Sequence, residues 1–271
     1  MNLTRELAVA SRLAREAGDL LMRLRGVAEV SHKHDGEIVT AADLESDRLI
    51  RAGLVEAFPD DALVSEEAPT GGDRLAEGGR AWIVDPIDAT RDYASGGDEF
   101  SVSIGLAVGG EAVLGAVCAP ARGELIVGAI GAGVSLNGAP ARVSAAPAVQ
   151  GARLTVSRSE WRDGDLGRRL PFPVGPVSSA AYKLARVGAG LDDGTFSTHA
   201  RRDWDICAGV ALVLAGGGRV TLLDGSAMRF DRAELLQPMG LVAAGPALHR
   251  QLRTVLAPIL AKPLAGGATT R

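Results

Sequence analysis

Residues 81–101 read AWIVDPIDATRDYASGGDEFS, and the way this stretch is read decides the fold. Trp82, Ile83 and Val84 make a short apolar, β-prone run closed by Pro86, which predicts a buried strand. The run ends in two carboxylates, Asp85 and Asp88, followed by the hydroxyl of Thr90. Pro86 fixes its own φ and lacks an N–H, which suits a sharp exit from a strand better than a continuing helix. Two acids at a strand tip concentrate negative charge at the edge of a core. Such charge is tolerated only when compensated, and a divalent cation is the usual compensation. Read locally, the same residues also fit a solvated turn, because Asp-Pro and Asp-x-Thr are ordinary turn chemistry.

Working upstream, the short strand Ala62-Leu63-Val64 leads into Ser65-Glu66-Glu67, so a second strand also ends in a pair of acids. Adjacent strands would bring the two tips together. Between the strands, residues 70–80 are Gly-rich and charged and read as a surface loop. Earlier still, Thr40 is placed to cap an amphipathic helix with Asp43 in its first turn, where the local role of the acid is to complement the helix dipole. His32 and His34 stand two apart, a poor helical metal pair, and read as solvated; Lys33 between them gains interest if its loop reaches a phosphate. Over residues 3–25, Leu3, Leu7, Ala10, Ala14, Ala17, Leu21 and Leu24 recur at helical spacing, with Gly26 as the stop.

Downstream, residues 100–108, 112–119 and 124–129 alternate in a β manner with glycine turns between them, and Asn137-Gly138 marks a hairpin turn. This is an antiparallel meander. The Ala/Pro-rich stretch 144–151 is the candidate boundary between an N-terminal α+β domain, 1–145, and a C-terminal α/β domain, 146–271. In the second half a strand is expected over 153–157 and a helix over 177–187, the latter carrying Ser178, Ser179, Tyr182, Lys183 and Arg186. Trp204-Asp205 opens an apolar helix that stops at Gly216-Gly217-Gly218. A strand over 219–223 and a helix over 246–259 follow.

The 271 residues carry a net charge of −4, which gives no reason to expect a nucleic-acid polymer as partner. The two cysteines, Cys118 and Cys207, lie in apolar surroundings, which predicts a reducing compartment with neither a disulfide framework nor a zinc cluster. No apolar leader and no run of membrane-spanning length is visible, so a soluble, cytoplasmic protein without a membrane partner is expected. Asp43, Glu66, Asp85, Asp88 and Asp205 each fall at the tip of a strand or the start of a helix. Hard oxygen ligands of this kind suit Mg²⁺, bound through a few carboxylates with water and substrate phosphate. The set lacks the His and Cys expected of zinc.

Glu66-Glu67 after Leu63-Val64-Ser65, then Trp82-Ile83-Val84-Asp85-Pro86-Ile87-Asp88-Ala89-Thr90, then Trp204-Asp205 before an apolar helix ending in Gly216-Gly217, together resemble the inositol monophosphatase superfamily. The three motifs occur in the family's order and spacing. The resemblance implies an α+β fold, a layered αβαβα sandwich, and lithium-sensitive, Mg²⁺-dependent hydrolysis of phosphomonoesters with two or three ions per site. It implies one metal on Glu66, Asp85 and the Ile87 carbonyl and a second on Asp85, Asp88 and Asp205, a clamp that activates water and neutralises the leaving oxygen. It further implies that Thr90, polarised by Asp43, orients and deprotonates the water, with Glu66 also in the catalytic group. The N–H groups of Ala89 and Thr90 would take the phosphate, and a homodimer is implied. The family usually has glycine where this chain has Ala89.

Within the superfamily, Thr90-Arg91-Asp92-Tyr93 and the following Gly97-Asp98-Glu99-Phe100-Ser101-Val102 look more like 3′(2′),5′-bisphosphate nucleotidases. Lys183, preceded by Ser178-Ser179, falls where those enzymes carry a lysine; it would bind the second phosphate of adenosine 3′,5′-bisphosphate, with Ser179 beside it and Arg186 in reserve. The inositol enzymes have a glutamate about seven residues before the Trp-Asp aspartate, and here that region is Ser197-Thr198-His199. Inositol 1-phosphate, histidinol phosphate and fructose 1,6-bisphosphate remain alternative substrates. A degenerate binding or assembly module is the reading without catalysis, and Ala89 is the one feature in its favour.

Overall fold

The structure, a computed structural model, describes residues 1–32, 38–68, 79–163 and 166–260. Helix α1 (Thr4–Leu24) buries Ala10, Ala14, Ala17 and Leu21 of the expected helical stripe, with Leu13 in addition, while Leu7 and Leu24 are partly buried, and Gly26 follows it at φ +79°. Strands β1 (Val30–His32) and β2 (Ile38–Thr40) pair antiparallel and lead into α2 (Ala41–Ala57). Next come β3 (Ala62–Ser65), β4 (Arg80–Asp88), the short α3 (Thr90–Ala94), and the strands β5 (Ser101–Val108), β6 (Glu111–Ala119), β7 (Glu124–Ala129), β8 (Gly133–Leu136) and β9 (Ala139–Ala141). Among the described residues these make one sheet in the order β3-β4-β5-β6-β7-β8-β9, antiparallel from β4 onward, with β3 and β4 parallel. The meander is therefore present, and Asn137 and Gly138 both take positive φ in its last hairpin.

The second half runs through β10 (Leu154–Ser157), α4 (Arg158–Asp163), α5 (Leu166–Arg169), β11 (Gly175–Val177), α6 (Ala180–Gly188), β12 (Gly194–Phe196), β13 (Arg201–Arg202), α7 (Asp203–Ala215), β14 (Arg219–Leu222), β15 (Leu236–Gln237), β16 (Leu241–Ala244) and α8 (Pro246–Leu260). A second sheet has the order β11-β10-β12-β16-β14. Helices α1 and α2 bury Ala10, Leu13 and Ile50 with Trp82, Ile104 and Leu114 on one face of the first sheet. Helices α6 and α7 bury Leu184, Ile206 and Val210 between Ile83 and Ala107 of that sheet and Leu222, Leu241 and Ala243 of the second. Leu248, Leu252 and Leu256 of α8 close the outer face over Val156, Phe196 and Val242. The result is the expected α+β sandwich of five layers, αβαβα.

The central layer lies very close to the first sheet. A Cβ added at Gly115 would stand 2.1 Å from the Ala208 carbonyl oxygen, and one at Gly105 would stand 2.8 Å from the Ala208 nitrogen. Glycine at both positions lets α7 rest on the strands almost backbone to backbone.

The helix expected over 177–187 begins only at Ala180. Residues 175–177 are instead the edge strand β11, parallel to β10. Pro176 cannot donate to a ladder, which an edge strand tolerates, and Ser179 caps α6 by accepting from the Tyr182 N–H at 2.9 Å. Strands β12 and β16 were not anticipated. Gly194-Thr195-Phe196 and Leu241-Val242-Ala243-Ala244 do not alternate, because both faces of this sheet are covered. Lys33, His34 and most of the 70–80 loop lie outside the described residues. Among the described residues no helix is long and apolar enough to cross a membrane.

Candidate active site

The parallel register of β3 and β4 sets Ser65 opposite Val84, and the Glu66 N–H donates to the Val84 carbonyl at 3.1 Å. The acids at the two strand tips are thereby neighbours. The β4–β5 ladder is irregular between Asp85 and Asp88, around Pro86, and the Ile87 N–H donates to Asp85 Oδ1 at 3.0 Å. Asp88 is held from the other side: its Oδ2 accepts from the Ser179 hydroxyl and the Ala181 N–H, both at 2.6 Å, at the start of α6. The first turn of α7 supplies Asp205. Glu66, Asp85, Ile87, Asp88, Ala89, Thr90 and Asp205 all line one cavity of about 850 Å³. Every expected metal ligand is in that wall.

Crowding these acids has an electrostatic cost. Burial and the charges of Glu66, Asp88 and Asp205 push the Asp85 carboxyl well above the usual range. Burial and the Asp88 charge push Asp205 up to about 8. Asp88 is raised as well, by burial, against the lowering effect of its Ser179 and Ala181 bonds. The Arg201 charge, joined by Lys183 at Asp88, offsets only part of this repulsion, and a divalent cation suits a cluster of like-charged carboxylates. Among the described residues no three of the side chains close into a ready-made cage. Mg²⁺ does not need one, because it keeps several waters and is commonly held by one or two carboxylates plus substrate oxygens.

Asp43 is buried at the first turn of α2, 1% exposed, and does two jobs. Its Oδ2 accepts from the Thr40 N–H at 2.7 Å and the Thr40 hydroxyl at 2.6 Å, which secures the helix start. Its Oδ1 lies 3.0 Å from Thr90 Oγ1, which is also 3.0 Å from the Ile87 carbonyl oxygen. The local reading of Asp43 as a helix-start residue is therefore incomplete, since the structure brings it to Thr90. Ala89, just before α3, sits at φ +74°, ψ +50°, a left-handed conformation that costs a Cβ-bearing residue about 1–2 kcal/mol. Ala89→Gly is expected to stabilise the protein by about 0.5–1 kcal/mol, the relief being offset in part by glycine's unfolded-state entropy. Thermal denaturation checks this. A lower melting temperature for the glycine variant would show that the Ala89 methyl makes a compensating contact.

Three expected substrate residues are elsewhere. Ser179 is fully buried behind Asp88, with its hydroxyl committed to that carboxylate and 3.0 Å from Ser101 Oγ. It supports the metal-facing acid and does not reach the cavity. Lys183 is 3% exposed and donates to Ser157 Oγ at 2.7 Å; burial and the Arg201 charge bring its pKa down to about 7. It is not part of the cavity wall. Arg186 is paired with Asp192 at 2.6 Å and lies outside the cavity too. The cations that do line the cavity are Arg91, Arg158, Arg162, Arg201 and Arg202. Sequence reasoning passed over them, although Arg201-Arg202 directly before Asp203-Trp204-Asp205 was an available signal.

Comparison with known proteins gives a consistent picture. The profile of the inositol monophosphatase family matches residues 2–262. The chain is 33% identical over 222 residues to a histidinol-phosphatase of Chlorobaculum parvum, covering 81% of this chain and 77% of that one. It is 34% identical over 221 residues to the fructose-1,6-bisphosphatase/inositol-1-monophosphatase of Thermotoga maritima, covering 79% and 83%. Among solved structures, a Thermotoga maritima IMPase superposes with a TM-score of 0.81 at 29% identity, over 94% of this chain and 98% of that one.

Proposed function

Because the chain belongs to the inositol monophosphatase family, whose members are phosphatases and generally metal-dependent, we propose that it is a Mg²⁺-dependent phosphomonoesterase acting on a small ester with a second anionic group, adenosine 3′,5′-bisphosphate being the expected substrate. The observation that carries this reading is the set of mutually repelling acids, Glu66, Asp85, Asp88 and Asp205, on the same cavity wall as the Thr90–Asp43 pair. Glu66, Asp85, Asp88, Asp205 and the Ile87 carbonyl would hold the metal. Bound there, Mg²⁺ supplies charge that acidifies water and neutralises the leaving oxygen.

The chain's own groups do the rest. Asp43 accepts the hydrogen bond of the Thr90 hydroxyl, so that as the attacking water gives a proton to Thr90 Oγ1 the hydroxyl's own proton passes to Asp43 Oδ1. The N–H groups of Ala89 and Thr90 receive the phosphate oxygens. The arginine rim, in place of Lys183, takes the non-reacting anion. Ile38 and Trp204 give the cavity apolar surface for a base, which favours a nucleotide over a sugar bisphosphate. Phosphate release with Mg²⁺ should be fastest on adenosine 3′,5′-bisphosphate in a panel with inositol 1-phosphate, fructose 1,6-bisphosphate and histidinol phosphate. Preference for a compound with one phosphate sinks the substrate assignment, and no release from any of them sinks the enzyme reading.

Metal removal has a signed pH signature. A carboxyl whose folded pKa is raised contributes stability that is complete below its unfolded pKa and is lost as pH rises through the folded value. For Asp205 that loss begins in the ordinary carboxylate range and is complete once the pH passes about 8, with Asp85 and Asp88 acting in the same direction. Mg²⁺ restores what deprotonation removes and competes with protons for the same oxygens. The rise in melting temperature on adding Mg²⁺ to EDTA-treated protein should therefore grow from pH 5 to pH 8. At a hundredfold excess over Kd it corresponds to about 2.7 kcal/mol. A rise independent of pH would show that the ion binds somewhere other than these acids.

A further inference from the structure

The loop between β12 and β13 contains no acid, yet it is built around one. Glu160, on the short helix α4, is only 4% exposed. Its Oε1 accepts from the Thr198 N–H at 2.6 Å, the Thr198 hydroxyl at 2.9 Å and the Ser197 hydroxyl at 3.0 Å, and lies 2.9 Å from His199 Nδ1. Its Oε2 accepts from Arg201 Nη2 at 3.1 Å. Arg201 is pinned at two more points, Nε on Ser197 Oγ at 2.9 Å and Nη2 on Ser157 Oγ at 2.7 Å. Burial alone would raise the Glu160 carboxyl; the His199 bond and the charges of Arg201 and Lys183 outweigh it and hold the group well below the usual range.

Glu160 does not itself line the cavity, but both structures it joins do. Arg158, Ser159 and Arg162 of α4 form one part of the wall, and Arg201, Arg202 and Asp205 form another. A long arginine side chain normally loses rotamer freedom when it grips an anion, and an arginine already held in place does not lose it again.

We propose that Glu160 is a positioning residue for substrate recognition: by holding residues 197–201 it presets the Arg201 guanidinium in the cavity wall, where it receives the anionic group of the substrate that does not react. This rests on the phosphatase reading above and assigns to that site a determinant of selectivity. A carboxylate that merely stabilised the loop would lower the melting temperature and affect all substrates alike. One that presets Arg201 affects substrates with a second anion.

The test compares wild type, Glu160→Gln, Arg201→Ala and the double variant on adenosine 3′,5′-bisphosphate and on adenosine 3′-monophosphate. Glu160→Gln should raise KM for the bisphosphate about tenfold or more, the scale of a lost charged hydrogen bond. Its kcat should stay within about threefold of wild type, with a much smaller KM change for the monophosphate. In the Arg201→Ala background the same substitution should add nothing, because the two residues act as a unit. Equal effects on both substrates, or effects that multiply in the double variant, overturn the proposal. Should Glu160→Gln fail to fold in a thermal melt, Ser197→Ala removes only the hydroxyl that bridges Glu160 and Arg201, and the same pattern is expected at smaller size. If wild type releases no phosphate, the phosphatase reading is what fails. Calorimetric binding of adenosine 3′,5′-bisphosphate then replaces KM in the same comparison, and absence of binding overturns both.

Discussion

Asp88→Asn is expected to abolish turnover in a protein that stays folded. The asparagine Oδ1 can keep both bonds that Asp88 Oδ2 now accepts, from the Ser179 hydroxyl and the Ala181 N–H, so the tie between β4 and α6 survives. What disappears is one negative charge from a cluster in which Asp85 and Asp205 both feel it. The loss in kcat should be on the order of 10³-fold or more, the upper end of what removing one transition-state-stabilising group costs. The metal-free melting temperature should hold or rise, since a repelled buried charge has gone, and the Mg²⁺-dependent rise should shrink. Mg²⁺-dependent activity close to wild type in this variant would sink the metal assignment.

The second large effect concerns Thr90 and Asp43. Thr90→Ala removes the hydroxyl 3.0 Å from Asp43 Oδ1 and the Ile87 carbonyl, and Asp43→Ala removes its proton acceptor. Each single variant should lose about 10²–10⁴-fold in kcat, the range of positioned acid–base groups. The double variant should be no worse than the poorer single one, because residues that act as a unit are grossly non-additive. Asp43→Ala also removes the helix-start bonds to Thr40 and should cost about 1 kcal/mol in stability, read separately by thermal melting. Losses in kcat that multiply would return Asp43 to a helix-start role alone.

The parts of this site that were legible in the sequence are those set by local chemistry on neighbouring strands. Two short apolar runs ending in acids gave Glu66, Asp85 and Asp88, and the parallel pairing of β3 and β4 puts both acid tips at the same end of the sheet. Thr40 and Asp43 were legible as a helix start, because capping is a short-range signal. Lys183 and Ser179 were misplaced for a physical reason. Helix α6 lies between two sheets, so Ala180, Ala181, Tyr182, Lys183, Leu184 and Ala185 are all buried, and no polar face marks which residues look toward the cavity. Glu160 and the arginine rim escaped because their meaning is non-local. Glu160 lies 41 residues from Arg201 in the chain, and nothing in the spacing announces that a six-residue helix will reach that segment.

The close seat of α7 on Gly105 and Gly115 carries a consequence for how the chain is made. The first sheet is complete in sequence by Ala141, but the helix layer that covers its inner face begins only at Ala180 and ends at Ala215. During synthesis at about 5–20 residues per second, the inner face stands uncovered for several seconds. That face is lined by Ile83, Val117 and Ile126, and Asp85 and Asp88 wait at its edge without Asp205. Such long-range docking is slow and exposes apolar surface to self-association. A larger side chain at Gly115 would prolong that interval, because α7 could no longer settle, and its first symptom would be insoluble nascent chains.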